Sequence, residues 1–167
     1  SEDAGAFAGH PLGNIIIAGL SEMQGSTYNA MQLLSLFFHT TGKIYPSSDQ
    51  PLTLHAVFKD GSEVAGESHI ADHPGMIDHV YVTNTLDDET PQASRRVVNT
   101  ILESDMIVLG PGSLFTSILP NIVIEEIGQA LLETKAEIAY VCNIMTQRGE
   151  TEHFSDSDHV EVLHRHL

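Results

Sequence analysis

The sequence predicts an α/β fold on an open, mostly parallel sheet, with helices on both faces and an antiparallel hairpin at one edge. Three observations predict it. From residue 91 onward helix-like and strand-like stretches alternate, the pattern of parallel strands joined by crossover helices. Met106-Ile107-Val108-Leu109 is a short apolar run without alternation, as a strand buried on both faces is. Asp60-Gly61 separates two alternating stretches, the mark of a tight hairpin turn.

Element by element, residues 1–9 are small, polar and rich in Gly and Ala, and read as a loop entered from upstream sequence. In residues 12–23, Leu12, Ile15, Ile16, Gly19 and Leu20 recur at helical spacing. Ser26 is placed to cap a second helix over 26–41. Its Met31, Leu33, Leu34, Leu36, Phe37 and Phe38 exceed one narrow stripe, so a core helix buried around most of its circumference is expected, with Gly42 at C′. Residues 43–45, 52–59 and 63–70 alternate with the two-residue period of half-exposed strands. Ile77, Val80 and Val82 predict a strand over 77–83, before an acidic turn at 84–90. Pro91 suits the start of a helix over 91–104. The apolar strand in 105–110 follows, then a helix over 121–134, a strand in 137–143 and a helix over 157–167. With no repeat, low-complexity tract or Pro/Ser-rich linker, residues 1–167 read as a single domain.

Composition narrows the function. Of the 167 residues 41% are hydrophobic and 18% charged, as in globular chains. Seven Lys and Arg against 23 Asp and Glu give a formal charge of −16, which repels nucleic acid and anionic lipid surfaces. The plain reading is a solvated acidic surface. No stretch reaches the ~20 apolar residues of a membrane span, none resembles a secretory signal, and the single Cys142 has no intrachain partner, so a reducing cytoplasm is expected.

The most informative segment is Met106 through Ser117, where a strand runs into Gly110-Pro111-Gly112-Ser113 and then Phe115, Thr116 and Ser117. Ligands of open α/β sheets bind at the carboxyl ends of strands. Glycines admit close backbone approach, successive N–H groups attract an anion, and Ser113, Thr116 and Ser117 add hydroxyl donors. The same letters also write an ordinary tight turn. A second candidate follows the next apolar strand, at Asn143-Ile144-Met145-Thr146-Gln147-Arg148-Gly149-Glu150-Thr151. Asn143 stands at a strand end, and the Arg148 guanidinium suits bidentate phosphate recognition, against the plainer reading of a solvated surface arginine. The ten histidines, including the His69/His73 and His159/His164/His166 groups, match no HExxH or Cys/His zinc spacing and read as structural or solvated. Gly-x-Ser-x-Gly, GxGxxG and Walker A patterns are absent.

Three ordered motifs carry a resemblance. They are Gly9-His10-Pro11-Leu12-Gly13-Asn14, then Gly110-Pro111-Gly112-Ser113-Leu114-Phe115-Thr116-Ser117-Ile118-Leu119-Pro120-Asn121, and finally Val141-Cys142-Asn143-Ile144-Met145-Thr146-Gln147. Together they resemble the gluconeogenesis factor (YvcK-like) family of the 2-phospho-L-lactate transferase (CofD-like) superfamily, over nearly the whole chain. The resemblance implies a Rossmann-like fold and the C-terminal half of a larger protein. Such members begin with a Gly-Gly-Gly-Thr-Gly loop and Asp-rich segments that this sequence lacks, so any magnesium would be held in the complete protein.

It also implies a regulatory protein that binds a nucleotide sugar, a UDP-sugar, and serves cell shape and cell-wall control during gluconeogenic growth, with no settled reaction. Gly110, Pro111, Gly112 and Ser113, helped by Thr116 and Ser117, would hold the diphosphate. Phe115 would pack near base or sugar, and Asn143 and Arg148 would close the pocket. The family often has tyrosine at Phe115; here the ring is kept and its hydroxyl is not. The rival readings are a magnesium-dependent transferase moving a phospholactyl group from a guanylyl donor to a deazaflavin, and an assembly module forming a homodimer.

Overall fold

The computed structural model describes residues 11–167, so the opening loop expected over 1–9 and the His10 position lie outside the described residues. The chain divides into two compact units, one reaching to Asp49 and one formed by Gln50–Leu167, where the sequence shows no linker.

In the first unit, α1 (Leu12–Gln24) ends on Gly25 in the left-handed region at φ 65°. Ser26 then caps α2 (Thr27–Phe37), its hydroxyl accepting the Asn29 N–H at 3.3 Å, as its position before the apolar run predicts. Two expectations are corrected. Helix α2 stops at Phe37, because His39 turns left-handed (φ 52°) ahead of Gly42. Only Ala30 of α2 is buried, whereas Leu36, Phe37 and Phe38 are 73, 74 and 67% exposed. So short a helical unit has too little chain to enclose that many apolar side chains. Residues 43–45 form no strand. Tyr45 stacks on Tyr28, and the Ile44 carbonyl accepts a hydrogen bond from the Gln32 side chain at 3.2 Å.

The second unit opens with a three-stranded antiparallel sheet in the order β2-β1-β3, made of β1 (Leu52–Phe58), β2 (Glu63–Ala65) and β3 (Ile77–Asn84). Asp60-Gly61 makes the expected turn, with the Asp60 carboxylate accepting the Ser62 N–H at 2.9 Å and Gly61 at φ 86°. The strand expected over 63–70 is cut short. Gly66, at φ 91°, gives its N–H to the Leu54 carbonyl, and α3 (Glu67–Asp72) begins at once and buries Ile70. Register places Ala56 opposite Val80 and Leu54 opposite Val82, and a one-residue slip would turn this apolar set outward.

After β3 come α4 (Arg95–Leu102), β4 (Met106–Leu109), a π-helical turn over Leu114–Ile118, α5 (Leu119–Ile122), α6 (Glu125–Glu133), β5 (Glu137–Tyr140) and α7 (Asp156–His166). Strands β4 and β5 pair in parallel as a sheet of their own, so the hairpin belongs to a second sheet rather than to the parallel sheet's edge. The fold is α/β as predicted, with a parallel sheet and an antiparallel hairpin. The reading of β4 as buried on both faces is corrected: Met106 and Val108 are 59 and 53% exposed. The core lies between the antiparallel sheet, the segment 114–131 and α7; Leu114, Phe115, Leu119 and Ile124 are at most 1% exposed. Each such side chain contributes about 1.5–3 kcal/mol on burial.

Candidate functional site

Because β4 and β5 run parallel, the loops that follow them open at the same end, and side chains tie them together. Asn143 donates from Nδ2 to the Gly112 carbonyl at 3.0 Å, and Gln147 donates from Nε2 to the Ser113 hydroxyl at 2.7 Å. The Thr116 hydroxyl donates to Glu150 at 3.4 Å. Residues 31 and 34 positions apart thus tie the two loops together.

The glycines have a local physical reason. Gly110 sits at φ 96° before a cis peptide bond to Pro111, and a Cβ there would lie 3.1 Å from the Val141 carbonyl oxygen. A Cβ on Gly112 would lie 3.1 Å from that of Ser117. Backbone conformation and the crossing chain therefore account for Gly110, and Gly112 is in a tight but less exacting place. The Ser113 carbonyl accepts the N–H groups of Ser117 and Ile118 and starts the π turn. Ser117 is exposed on that turn.

Phe115 is corrected. Its ring is fully buried, edge-on to Phe154 and His166 at centroid distances of 6.3 Å, and cannot stack on a base or sugar there. The signal was the dyad Leu114-Phe115, which anchors the turn in the core. Arg148 is exposed and lines a cleft of about 350 Å³ with Ile70, His73, Ile77, Gln147 and Glu150.

Glu150 and Gln147 lie in the second candidate segment, after β5, but the sequence does not single them out there as it does Asn143 and Arg148. Burial raises the pKa of the Glu150 carboxyl above the usual carboxylate range; the Phe115 N–H and Thr116 hydroxyl oppose this, and Glu67 adds to it. Glu150 Oε2, Gln147 Oε1 and His73 Nδ1 are buried without a hydrogen-bond partner. At the end of β5, burial pushes the Tyr140 phenol up to about 12, with Cys142 adding to the shift. Among the described residues no group of three His, Cys, Asp or Glu is placed to hold a metal ion, and no helix is long and apolar enough to cross a membrane.

Parallel strands whose following loops are bonded to each other at the carboxyl ends, beside an antiparallel sheet and its helices, place the chain in the α/β class. The family model for 2-phospho-L-lactate transferase CofD matches residues 2–167, and the chain belongs to that family. It is 90% identical over all 167 residues to the "Putative gluconeogenesis factor" of Streptococcus pneumoniae, covering 51% of that protein. It is 41% identical over 163 residues to the "Gluconeogenesis factor" of Listeria innocua, covering 49% of it. The crystal structure of a UPF0052 family member from Bacillus halodurans superposes with a TM-score of 0.89 at 34% identity, over 99% of this chain and 52% of that one. The chain thus spans about half the length of the relatives it matches.

Proposed function

We propose that this chain contributes one wall of a nucleotide-sugar site in a regulatory protein of the gluconeogenesis factor type. The observation that carries the reading is the joining of the two post-strand loops by the Asn143 and Gln147 bonds, which gathers their polar groups at the strand ends, where open α/β sheets take their ligands. The Gly110–Ser113 backbone and the exposed Ser117 hydroxyl would take the diphosphate, with Thr116 held on Glu150, and Arg148, exposed on the cleft beside Gln147, would supply the cation. The relatives' names support a role in gluconeogenic growth, with control of cell shape and cell wall in the cytoplasm as the setting.

Titration calorimetry of UDP-N-acetylglucosamine into the full-length protein, with and without magnesium, tests this. Saturable binding without turnover supports a regulator. Heat from a guanine nucleotide alone, with magnesium-dependent turnover, would replace it by the phospholactyl transferase reading that the family's name favours.

A further inference from the structure

We propose that α1 pairs antiparallel with the α1 of a second copy of this protein, so that its open apolar stripe is a two-fold dimer interface. The stripe is Leu12, Ile16, Gly19 and Met23, which helical periodicity places on one side of α1. Leu12, Ile16 and Met23 are 71, 43 and 78% exposed, and Gly19 is exposed between them. Steps of four, three and four residues are the spacing of a coiled-coil seam. They also read the same from either end of the helix. An antiparallel copy therefore sets Ile16 opposite the partner's Gly19 and Leu12 opposite the partner's Met23, and the two-fold axis repeats both pairs.

This self-complementarity points to a second copy as the occupant. Each central contact joins a large side chain to a place with room for it. Among the described residues nothing lies within 4 Å of a Cβ built on Gly19, so no neighbour in this chain requires glycine there, although glycine inside a helix is destabilising. Charge points the same way. Two copies with a formal charge of −16 each repel one another and meet with least repulsion on a neutral face, and from Leu12 to Phe38 Glu22 is the only charged side chain. None of α1 and only Ala30 of α2 is buried, so this short unit lacks a core of its own. Helix α2 packs on α1 and opens Leu33, Leu36 and Phe37, 41, 73 and 74% exposed, as apolar surface to extend the contact towards the roughly 800 Å² per partner of a stable interface.

Light scattering and sedimentation equilibrium on the full-length protein test this, with melting temperatures recorded. The variants are Gly19→Ile, Ile16→Ala, the two combined, and Met23→Lys at an open position where a charge leaves the monomer's fold intact. Wild type should dimerise, with each single substitution weakening the dimer about tenfold. The combined variant should recover most of that loss, because it restores the pairing of large with small with the roles exchanged. A wild type that stays monomeric at every concentration would overturn the proposal. So would a dimer that none of the single substitutions weakens, or a folded combined variant as weak as Gly19→Ile alone. Lower melting temperatures with dimerisation intact would show the stripe covered by the remainder of the full-length protein, and would overturn it as well.

Discussion

Replacing Phe115 by alanine in the full-length protein separates a core anchor from a ligand-stacking ring. The side chain is 0% exposed, with Leu114 and Leu119 at 1 and 0% around the same turn. Deleting a buried phenyl costs about 3–5 kcal/mol in transfer and cavity terms. The edge-on partners Phe154 and His166 make the upper part of that range apt, since such contacts add about 0.5–1.5 kcal/mol each. Against a total stability of about 5–15 kcal/mol, the variant should be marginal but still foldable at low temperature. Urea unfolding followed by far-ultraviolet circular dichroism reads the loss; this chain contributes no tryptophan signal. An unchanged urea midpoint together with a tenfold weaker affinity for UDP-N-acetylglucosamine would refute the core assignment.

Three other outcomes are expected. Gly110→Ala forces a Cβ into the left-handed region at φ 96° and to within 3.1 Å of the Val141 carbonyl oxygen, and should cost about 1–3 kcal/mol in urea unfolding; a neutral result would show that the loop relaxes freely. Asn143→Ala removes the bond to Gly112 and should weaken nucleotide-sugar binding about tenfold in calorimetry, an effect of about 1.4 kcal/mol, while a folded variant of unchanged affinity would take Asn143 out of the site. His166 accepts the Val80 N–H on Nε2 and donates from Nδ1 to the Val162 carbonyl, an arrangement only the neutral ring can make. Burial lowers its pKa below the ordinary 6.5, with Arg165 and His79 adding to that and Asp78 opposing it. The neutral ring's stabilisation is thus complete above pH 6.5 and is lost as pH falls toward the lower folded value, because the unfolded chain takes up the proton first. Melting temperature should fall on acidification below that point more steeply in wild type than in His166→Gln; parallel curves would contradict it.

Local chemistry was legible wherever one residue type had one physical use. Ser26 before an apolar run, Asp60-Gly61 between alternating stretches and Met106–Leu109 before a Gly-Pro-Gly turn all fold as their letters direct. Burial was less legible. Leu36 and Phe37 are apolar at helical spacing yet exposed, and Phe115 beside polar neighbours is fully buried, because enclosure depends on what the rest of the chain can supply. The helix Glu67–Asp72 was hidden because Val64 and Ile70 fit a two-residue period, and only Gly66 marks the break. At the site, the loop after β4 announced itself through its glycines. Glu150 did not, since a carboxylate in a polar stretch looks solvated until one of its oxygens is found on the Thr116 hydroxyl and the other buried.

The parallel pair β4–β5 has a practical consequence. Its strands are four residues each, no third strand joins them among the described residues, and Met106, Val108 and Ile138 lie 59, 53 and 45% open to water. A short ladder with free edges and an oily outer face is a template onto which other chains add strands. Solutions of this 167-residue chain by itself should therefore thicken into oligomers as concentration rises. Assembly is best weighed in the full-length protein, where light scattering reports on the folded whole rather than on sticky edges.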